Sequence, residues 1–316
     1  KSLDFLKRKK IQNVIIECSS HGLDQKRLHH VKFKGAIFTN FSQDHLDYHK
    51  TMKSYLRAKL ILFSKLLNKN SFIISDKSIK EYSILKRVSI KRELKLLEIS
   101  KVLEYFNKIS LPLIGSFQLK NLSMAILAAR VCKINDHKIK KALTNIKNVS
   151  GRLNLIKKYP NNIRVFVDYA HTPEALHEVL KSLKNIYGNN VSLVFGCGGE
   201  RDFKKRPMMA KIARSFCEKI YVTDDNPRKE NPKKIREEIV KNLKSRKYFN
   251  IGNRFQAIKK AVSNAVPNET ILVAGKGHET SQDYGSKIIS ISDKEIIKKL
   301  RLSKDNFIKK KQNYFF

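Results

Sequence analysis

No stretch of the chain is apolar for anything near the roughly 20 residues that a bilayer crossing needs, and the opening KSLDFLKRKK lacks the apolar centre of a secretory signal. Those absences argue against a membrane or exported protein and leave a cytoplasmic chain as the expectation. Cysteine is scarce: Cys18, Cys132, Cys197 and Cys217 are the four in 316 residues, and no two form a CxxC pair. That excludes a zinc knuckle or a disulfide framework and leaves them as small core residues. Acidic residues are few beside basic ones, 28 against 66, for a formal charge of +38. Such an excess would ordinarily point to nucleic acid. Here the lysines are spread along the whole chain together with abundant Ile and Asn, and neither an RNP-like aromatic pattern nor a zinc finger accompanies them. A solvated lysine surface is the simpler reading, with no nucleic-acid partner expected. There is no internal repeat, and the first residue is Lys rather than Met, so the chain reads as a piece of a longer one or as a protein that has lost its front.

A length of 316 residues favours two domains. Short β-branched runs, NVIIECSS, GAIFTNFS, RVFVDYAHT, VSLVFGCGG, KIYVTDDNP and TILVAGKGHE, each end in a polar or glycine cluster. They are continuous rather than alternating, as parallel strands covered on both faces should be, and the fold class expected is α/β. Open sheets of this kind bind ligands at the carboxyl ends of their strands. That rim carries Glu17, Asn40, Asp168, Gly196, Asp225 and Gly275. A helix is expected after Asp168, capped by Thr172, with Pro173 in its first turn, an apolar stripe of Leu176, Val179, Leu180 and Leu183, and Gly188 at its end. Further helices are expected over SYLRAKLILFSKLL, NLSMAILAARVCKI and HKIKKALTNI. The lysine-rich segment from Asn68 to Ser110 has strand-like pieces but no chemical motif and reads as a peripheral insertion. The tail KKKQNYFF reads as frayed, and a fresh strand-helix alternation puts the simplest domain boundary near Ser150.

Two places invite metal chemistry. In FSQDHLDYHK, His45 and His49 stand four apart, a helical spacing that suggests zinc. The zinc-protease signature needs Glu directly after the first histidine, and here that residue is Leu46. In SYLRAKLILFSKLL, Lys59 falls in the apolar stripe, beside Tyr55, Leu62 and Phe63. Such a lysine can snorkel to solvent, or it can be a functional amine whose neutral form adds carbon dioxide and becomes an anionic carbamate ligand. Glu17 at a strand end, the histidines His45 and His49 and a Lys59 carbamate together would be a hard oxygen and nitrogen donor set suited to magnesium.

The motifs ECSSHGLDQKR, TNFSQDHLDYH, YLRAKLILF, GSFQLKN, GRLN, VDYAHTPEAL, GCGGERDFKKRP, DDNPRKENP and GKGHE, in this order from about Val14 to Tyr284, resemble the Mur ligase family. The resemblance is greatest to those members that add the third amino acid of the cell-wall precursor. It implies the remainder of a mononucleotide-binding ATPase domain with a parallel-dominated sheet over residues 1–149, followed by a Rossmann-like ligase domain over 150–316. It implies an ATP-dependent, magnesium-requiring amide ligase acting on UDP-N-acetylmuramoyl-L-alanyl-D-glutamate and meso-diaminopimelate, through an acyl phosphate, as a monomer with no membrane partner. By the same resemblance Glu17, His45 and carbamylated Lys59 are the catalytic metal site, and His49 has a structural hydrogen bond instead. Ser19, Gln25 and Arg27 match positions that hold the UDP-muramoyl peptide; Asn121, Arg152, Asp168 and His171 match the ATP site. Arg201, Asp225, Asn226, Pro227, Arg228, Gly275 and Glu279 match the pocket for the incoming amino acid.

The chain also departs from the family pattern. Gln118 stands for the usual Asn, Ser150 for a Pro, Asn154 for an acid, Gln43 for an Arg and Glu200 for an Asp. Nothing in it matches GxxxxGK[ST], the loop whose amides and lysine cradle ATP phosphates. That loop is expected upstream of Lys1. Three alternatives stay open: a lysine-adding ligase, a folylpolyglutamate-type ligase, and a non-catalytic remnant that binds amino acid. DNPR itself can be a plain turn, since Asn-Pro favours turns.

Overall fold

In the computed structural model, which describes residues 2–106, 111–244 and 247–301, the chain forms two compact units. The first comprises residues 1–41, 48–111 and 117–146, and the second residues 42–47, 112–116 and 147–316. The expected frayed tail lies outside the described residues.

The first unit is built on three parallel strands, β1 (Phe33–Phe38), β2 (Leu67–Ser75) and β3 (Lys95–Glu98), in the order β1-β2-β3. Helix Met52–Lys65 links β1 to β2. Thr51 caps it by accepting from the Ser54 amide, and it buries Tyr55, Ala58, Leu62 and Phe63. The helix ends two residues earlier than the apolar pattern suggests, because Leu67 is needed to open β2. Helix Tyr82–Lys91 links β2 to β3, and Leu62, Phe63, Leu66, Ile73 and Leu85 pack together beneath them. Across the sheet, Met124 of helix Ser116–Val131 packs on Ile74 and Ile99.

Two expectations are corrected here. The segment 68–106 is no peripheral insertion: it supplies the central strand β2 and its neighbour β3, with Ile73 and Ile74 almost wholly buried. Its lysines sit on solvent-facing positions, which hides a short buried run from a reading by composition. The run NVIIECSS is not a strand, so Glu17 does not stand at a strand end. Residues 11–19 are irregular, and Ile15 is 91% exposed. β-branched residues make a strand only where their amides meet a ladder partner, and among the described residues none pairs with this run.

The second unit holds a six-stranded sheet in the order β4-β5-β9-β6-β7-β8. Its strands are β4 (Asn154–Tyr159), β5 (Ile163–Asp168), β6 (Val191–Phe195), β7 (Lys219–Val222), β8 (Lys247–Asn250) and β9 (Thr270–Ala274). All neighbours are parallel except β4, which runs antiparallel to β5 along one edge. Strands β6 and β9 are buried at every position, as continuous apolar runs require. Helix Pro173–Tyr187 follows β5 as expected: the Thr172 hydroxyl accepts from the Ala175 amide, Leu176, Val179, Leu180 and Leu183 are buried, and Gly188 closes it at φ 85°. Each such leucine contributes roughly 1.5–3 kcal/mol by leaving water. A small hairpin, β10 (Ser281–Asp283) with β11 (Ile288–Ser290), extends the loop after β9. Among the described residues no helix is long and apolar enough to cross a membrane.

Candidate functional site

Parallel strands send their carboxyl ends to one edge, so the loops after β5, β6, β7 and β9 meet there. Glycine makes their contact possible. A Cβ on Gly199 would lie 2.0 Å from the Pro227 carbonyl oxygen, and one on Gly275, at φ 109°, 2.6 Å from an Asp225 carboxylate oxygen. The loop after β6 is thus moulded onto the loop after β7, and the loop after β9 onto Asp225.

A polar network fills this junction. The Asn226 amide donates to Glu279 (3.1 Å), and its carbonyl accepts from the Asp283 backbone amide (3.0 Å) and from Lys276 Nζ (3.0 Å). Lys276 Nζ also donates to Glu279 Oε2 at 2.7 Å, although the lysine is only 1% exposed. Burial would raise the Glu279 carboxyl, but the lysine and the Asn226 amide outweigh it and hold the group below its ordinary range. Arg228, at φ 51°, donates from Nη1 to the Gly199 carbonyl at 2.7 Å, and its backbone amide donates to the Asp283 carbonyl. The open side of this loop is a cleft lined by Arg228, Glu230, Asn231, Tyr284 and Gly285.

The edge next to β5 is more aromatic. Asp168 ends the strand, 4% exposed, and its carboxylate accepts from the Leu153 and Ala170 amides at 2.5 and 2.6 Å. Burial dominates and pushes its pKa upward against those donors. Arg152 lies over the Tyr169 ring at 4.6 Å, and Tyr169 is edge-on to His171. His171 Nδ1 donates to the Tyr169 carbonyl, and its Nε2 is 3.6 Å from Asp44, which also faces His45 and Lys205 at 3.5 Å each. Burial opposes ionisation of Asp44, but the hydrogen bond from His171 and the Lys205 ammonium hold its carboxyl far below the usual range. Arg201 is more loosely placed, 3.7 Å from Asp47.

In the first unit, Ser19 is the N-cap of the short helix Ser20–Asp24 and accepts from the Gly22 amide. Gln25 terminates that helix and reaches the Tyr48 hydroxyl, while Arg27 is exposed. His49 is buried and bonds Ser20 Oγ at 2.9 Å, the structural role expected for it. His45 precedes the four-residue helix Leu46–His49, at φ 56°, so the two histidines do not share a helical face. Lys59 Nζ lies over the Tyr55 ring at 5.2 Å and the Phe38 ring at 6.0 Å. Asn121 is exposed, next to Lys120, whose ammonium pairs with Asp76 at 2.6 Å.

Glu17 and Lys59 belong to the first unit and His45 to the second. Among the described residues no three His, Cys, Asp or Glu side chains gather into a metal cage. Were Lys59 carbamylated, that group with Glu17 and His45 would be a hard donor set of the kind magnesium prefers.

Sequence reading missed several supports. Lys276 lies inside GKGHE, three residues before its partner Glu279, but its second partner Asn226, fifty residues away, has no sequence signal. Arg254, 1% exposed, binds both carboxylate oxygens of Asp293 at 2.7 Å and donates to the Ala274 and Asp224 carbonyls at the ends of β9 and β7. Its signal was an arginine in the stripe Ala257, Ile258, Ala261, the pattern that singled out Lys59. Arg206 similarly ties Glu230 and Glu238 together at 2.7 and 2.8 Å.

Comparison with known proteins gives a consistent picture. Residues 1–129 match the Mur ligase middle domain and residues 151–277 the Mur ligase glutamate ligase domain. The UDP-N-acetylmuramoyl-L-alanyl-D-glutamate–2,6-diaminopimelate ligase of Rickettsia bellii is 41% identical over 309 residues, covering 90% of this chain and 64% of that protein. The ligase of the same name from Rickettsia montanensis is 39% identical, covering 94% and 68%, and that of Haemophilus influenzae 38%, covering 89% and 62%. The chain therefore spans about two thirds of the length of these relatives. A solved diaminopimelate ligase structure is similar at a TM-score of 0.50 and 28% identity, over 89% of this chain and 63% of that one. The bifunctional folylpolyglutamate synthase/dihydrofolate synthase of Yersinia pestis, complexed with AMPPNP and Mn ion, shares the fold at a TM-score of 0.60 and 15% identity, over 77% and 58%.

Proposed function

Because the chain belongs to the Mur ligase family, we propose that it forms part of a cytoplasmic, ATP-dependent amide ligase that joins meso-diaminopimelate to UDP-N-acetylmuramoyl-L-alanyl-D-glutamate in peptidoglycan synthesis. In this reading residues 1–149 are the back of the ATP-binding domain and residues 150–316 the ligase domain. The terminal carboxylate of the muramoyl dipeptide takes the γ-phosphoryl group of ATP, releasing ADP. The amine of the incoming amino acid then attacks the acyl carbon, phosphate leaves, and an amide remains. Negative charge builds on phosphoryl oxygens and then on a tetrahedral carbon, so fixed cations and donors lower the barrier.

The residues divide that work. Ser19, Gln25 and Arg27 hold the UDP-muramoyl peptide. Asn121, Arg152, Asp168 and His171 hold the nucleotide; Asp168 has amides on both oxygens already, so a ribose hydroxyl uses the remaining lone pairs. Glu17, His45 and carbamylated Lys59 would hold magnesium, which when bound neutralises phosphoryl oxygens. Arg201, Asp225, Asn226, Pro227, Arg228, Gly275 and Glu279 form the amino-acid pocket. There Arg228 takes the distal carboxylate through parallel hydrogen bonds, and Glu279 takes the distal ammonium.

The observation that carries this reading is the junction of three strand-end loops, where an arginine and a carboxylate held in its ionised form stand on one rim. Lysine has no distal carboxylate and would leave Arg228 unmatched, a deficit that can reach roughly 10⁴-fold in discrimination. Calorimetric titration of the chain should show binding of meso-diaminopimelate, much weaker binding of lysine, and loss of that difference in Arg228→Ala. Equal affinity for both amino acids would return DNPR to being a turn.

A further inference from the structure

We infer that Lys276 is a positioning residue of the amino-acid pocket, its buried ammonium fixing Glu279 and Asn226 in the arrangement that receives the distal head of a diamino diacid. The inference rests on the proposed reading of that pocket and adds to it a residue that does not touch the ligand.

An ammonium has three donors and no acceptor. Two of those on Lys276 go to pocket residues, at 2.7 Å to Glu279 Oε2 and 3.0 Å to Asn226 Oδ1. The consequence for Asn226 is an amide with one permitted orientation. Its oxygen faces Lys276 and the Asp283 amide, and its nitrogen faces Glu279; turning it over would set donors against donors. The consequence for Glu279 is that Oε2 is engaged by both partners while its side chain remains 29% exposed. The lysine thus fixes which oxygen points inward and leaves the carboxylate reachable from the pocket.

Stability does not explain this lysine. Taking an ammonium out of water is costly, and because its partner Glu279 keeps access to water, an apolar side chain of similar volume would leave no uncompensated buried charge in this place. Here the lysine is 1% exposed, in a loop whose φ of 109° at Gly275 and 54° at Gly277 brings it beneath the junction. An apolar replacement would leave Asn226 Oδ1 with the Asp283 amide and Glu279 partly in water, so no buried group is orphaned. What would go is the fixed geometry and the charge that keeps Glu279 ionised.

The test compares wild type with Lys276→Met by calorimetric titration with meso-diaminopimelate, alongside thermal unfolding of each protein. Loss of a charge-assisted anchor should weaken binding by about tenfold to a hundredfold while the melting midpoint stays near that of wild type. The acid limb of binding gives a second readout. Among the described residues, the charged and titratable groups facing Glu279 include Lys276, His171, Arg254 and Tyr169, which hydrogen-bonds to it. Removing the nearest and strongest, Lys276, should let Glu279 protonate at a higher pH, so binding should fail at a higher pH than in wild type. Should Lys276→Met not fold, Lys276→Gln, which keeps a donor but no charge, takes its place. Wild-type binding with an unchanged affinity and acid limb in the variant would overturn the inference alone. No binding by wild type would overturn the pocket reading and the inference with it.

Discussion

At the residue scale, charged side chains in apolar surroundings are the informative ones. Lys59 beside Tyr55 and Phe38, Lys276 beneath Asn226 and Arg254 on Asp293 each sit where an aliphatic residue would be cheaper to bury. Lys59 and Arg254 stand out in the sequence as breaks in an apolar helical stripe, while Lys276, in a loop, has no stripe to break. If Lys59 carries a carbamate, the chain incubated with ¹³C-bicarbonate should show a carbamate carbon resonance that is missing from Lys59→Ala. A spectrum unchanged by the substitution would leave Lys59 as a snorkelling lysine. In the complete ligase the same variant should lose most activity, because the magnesium set loses an anionic oxygen.

At the element scale, the helix after β5 and the edge strand β4 make separate predictions. Thr172 caps helix Pro173–Tyr187 through the Ala175 amide, and Thr172→Ala should lower stability by about 1 kcal/mol, read as a lower urea midpoint with an unchanged slope. Tyr159 closes β4 against helix Asp293–Lys299, its hydroxyl donating to the Ile297 and Leu300 carbonyls. Burial pushes this phenol up to about 12 from an ordinary 10.0. The folded state therefore keeps the proton that the unfolded chain releases first. That contribution is complete below about pH 10 and is lost as pH rises through about 12. Urea midpoints measured across the alkaline range should fall more steeply for wild type than for Tyr159→Phe, and parallel falls would show that ionisation elsewhere dominates.

For the whole molecule, the question is how much of a ligase this chain is. Its sequence has no match to GxxxxGK[ST], the loop whose amides and lysine cradle the γ-phosphate of ATP in enzymes that carry it. The pure chain should release no ADP when given muramoyl dipeptide, meso-diaminopimelate and ATP, while still binding the amino acid through its second unit. Steady ADP release from the isolated chain would sink that expectation. The same contrast separates a catalytic reading from a remnant that only binds, since the latter should stay silent even when a Walker-containing partner segment is supplied.

What the order of residues determined by itself was local and repetitive. Continuous β-branched runs announced the strands β1, β5, β6, β7 and β9, and Thr172, Pro173 and Gly188 bounded a helix to the residue. Such features follow from backbone propensity and from burial on both faces, which neighbours in sequence suffice to encode. The loops that carry Asp225, Asn226, Arg228, Gly275 and Glu279 likewise follow strands β7 and β9, as the end of each run announced, because turn chemistry at a strand end is written in short stretches. Tertiary structure decided the rest. Val14 and Ile15 have strand propensity but no ladder, whereas Phe72 and Ile73, set among lysines, form the centre of a sheet. Hydrogen-bond partners, not propensity, make that difference. The positions of Lys276 and Arg254 were decided the same way: a buried charge is tolerable only where it finds acceptors, and while Glu279 is Lys276's neighbour in the chain, the meeting of loops at the end of a parallel sheet is what brought Asn226, Asp293 and the strand-end carbonyls within reach.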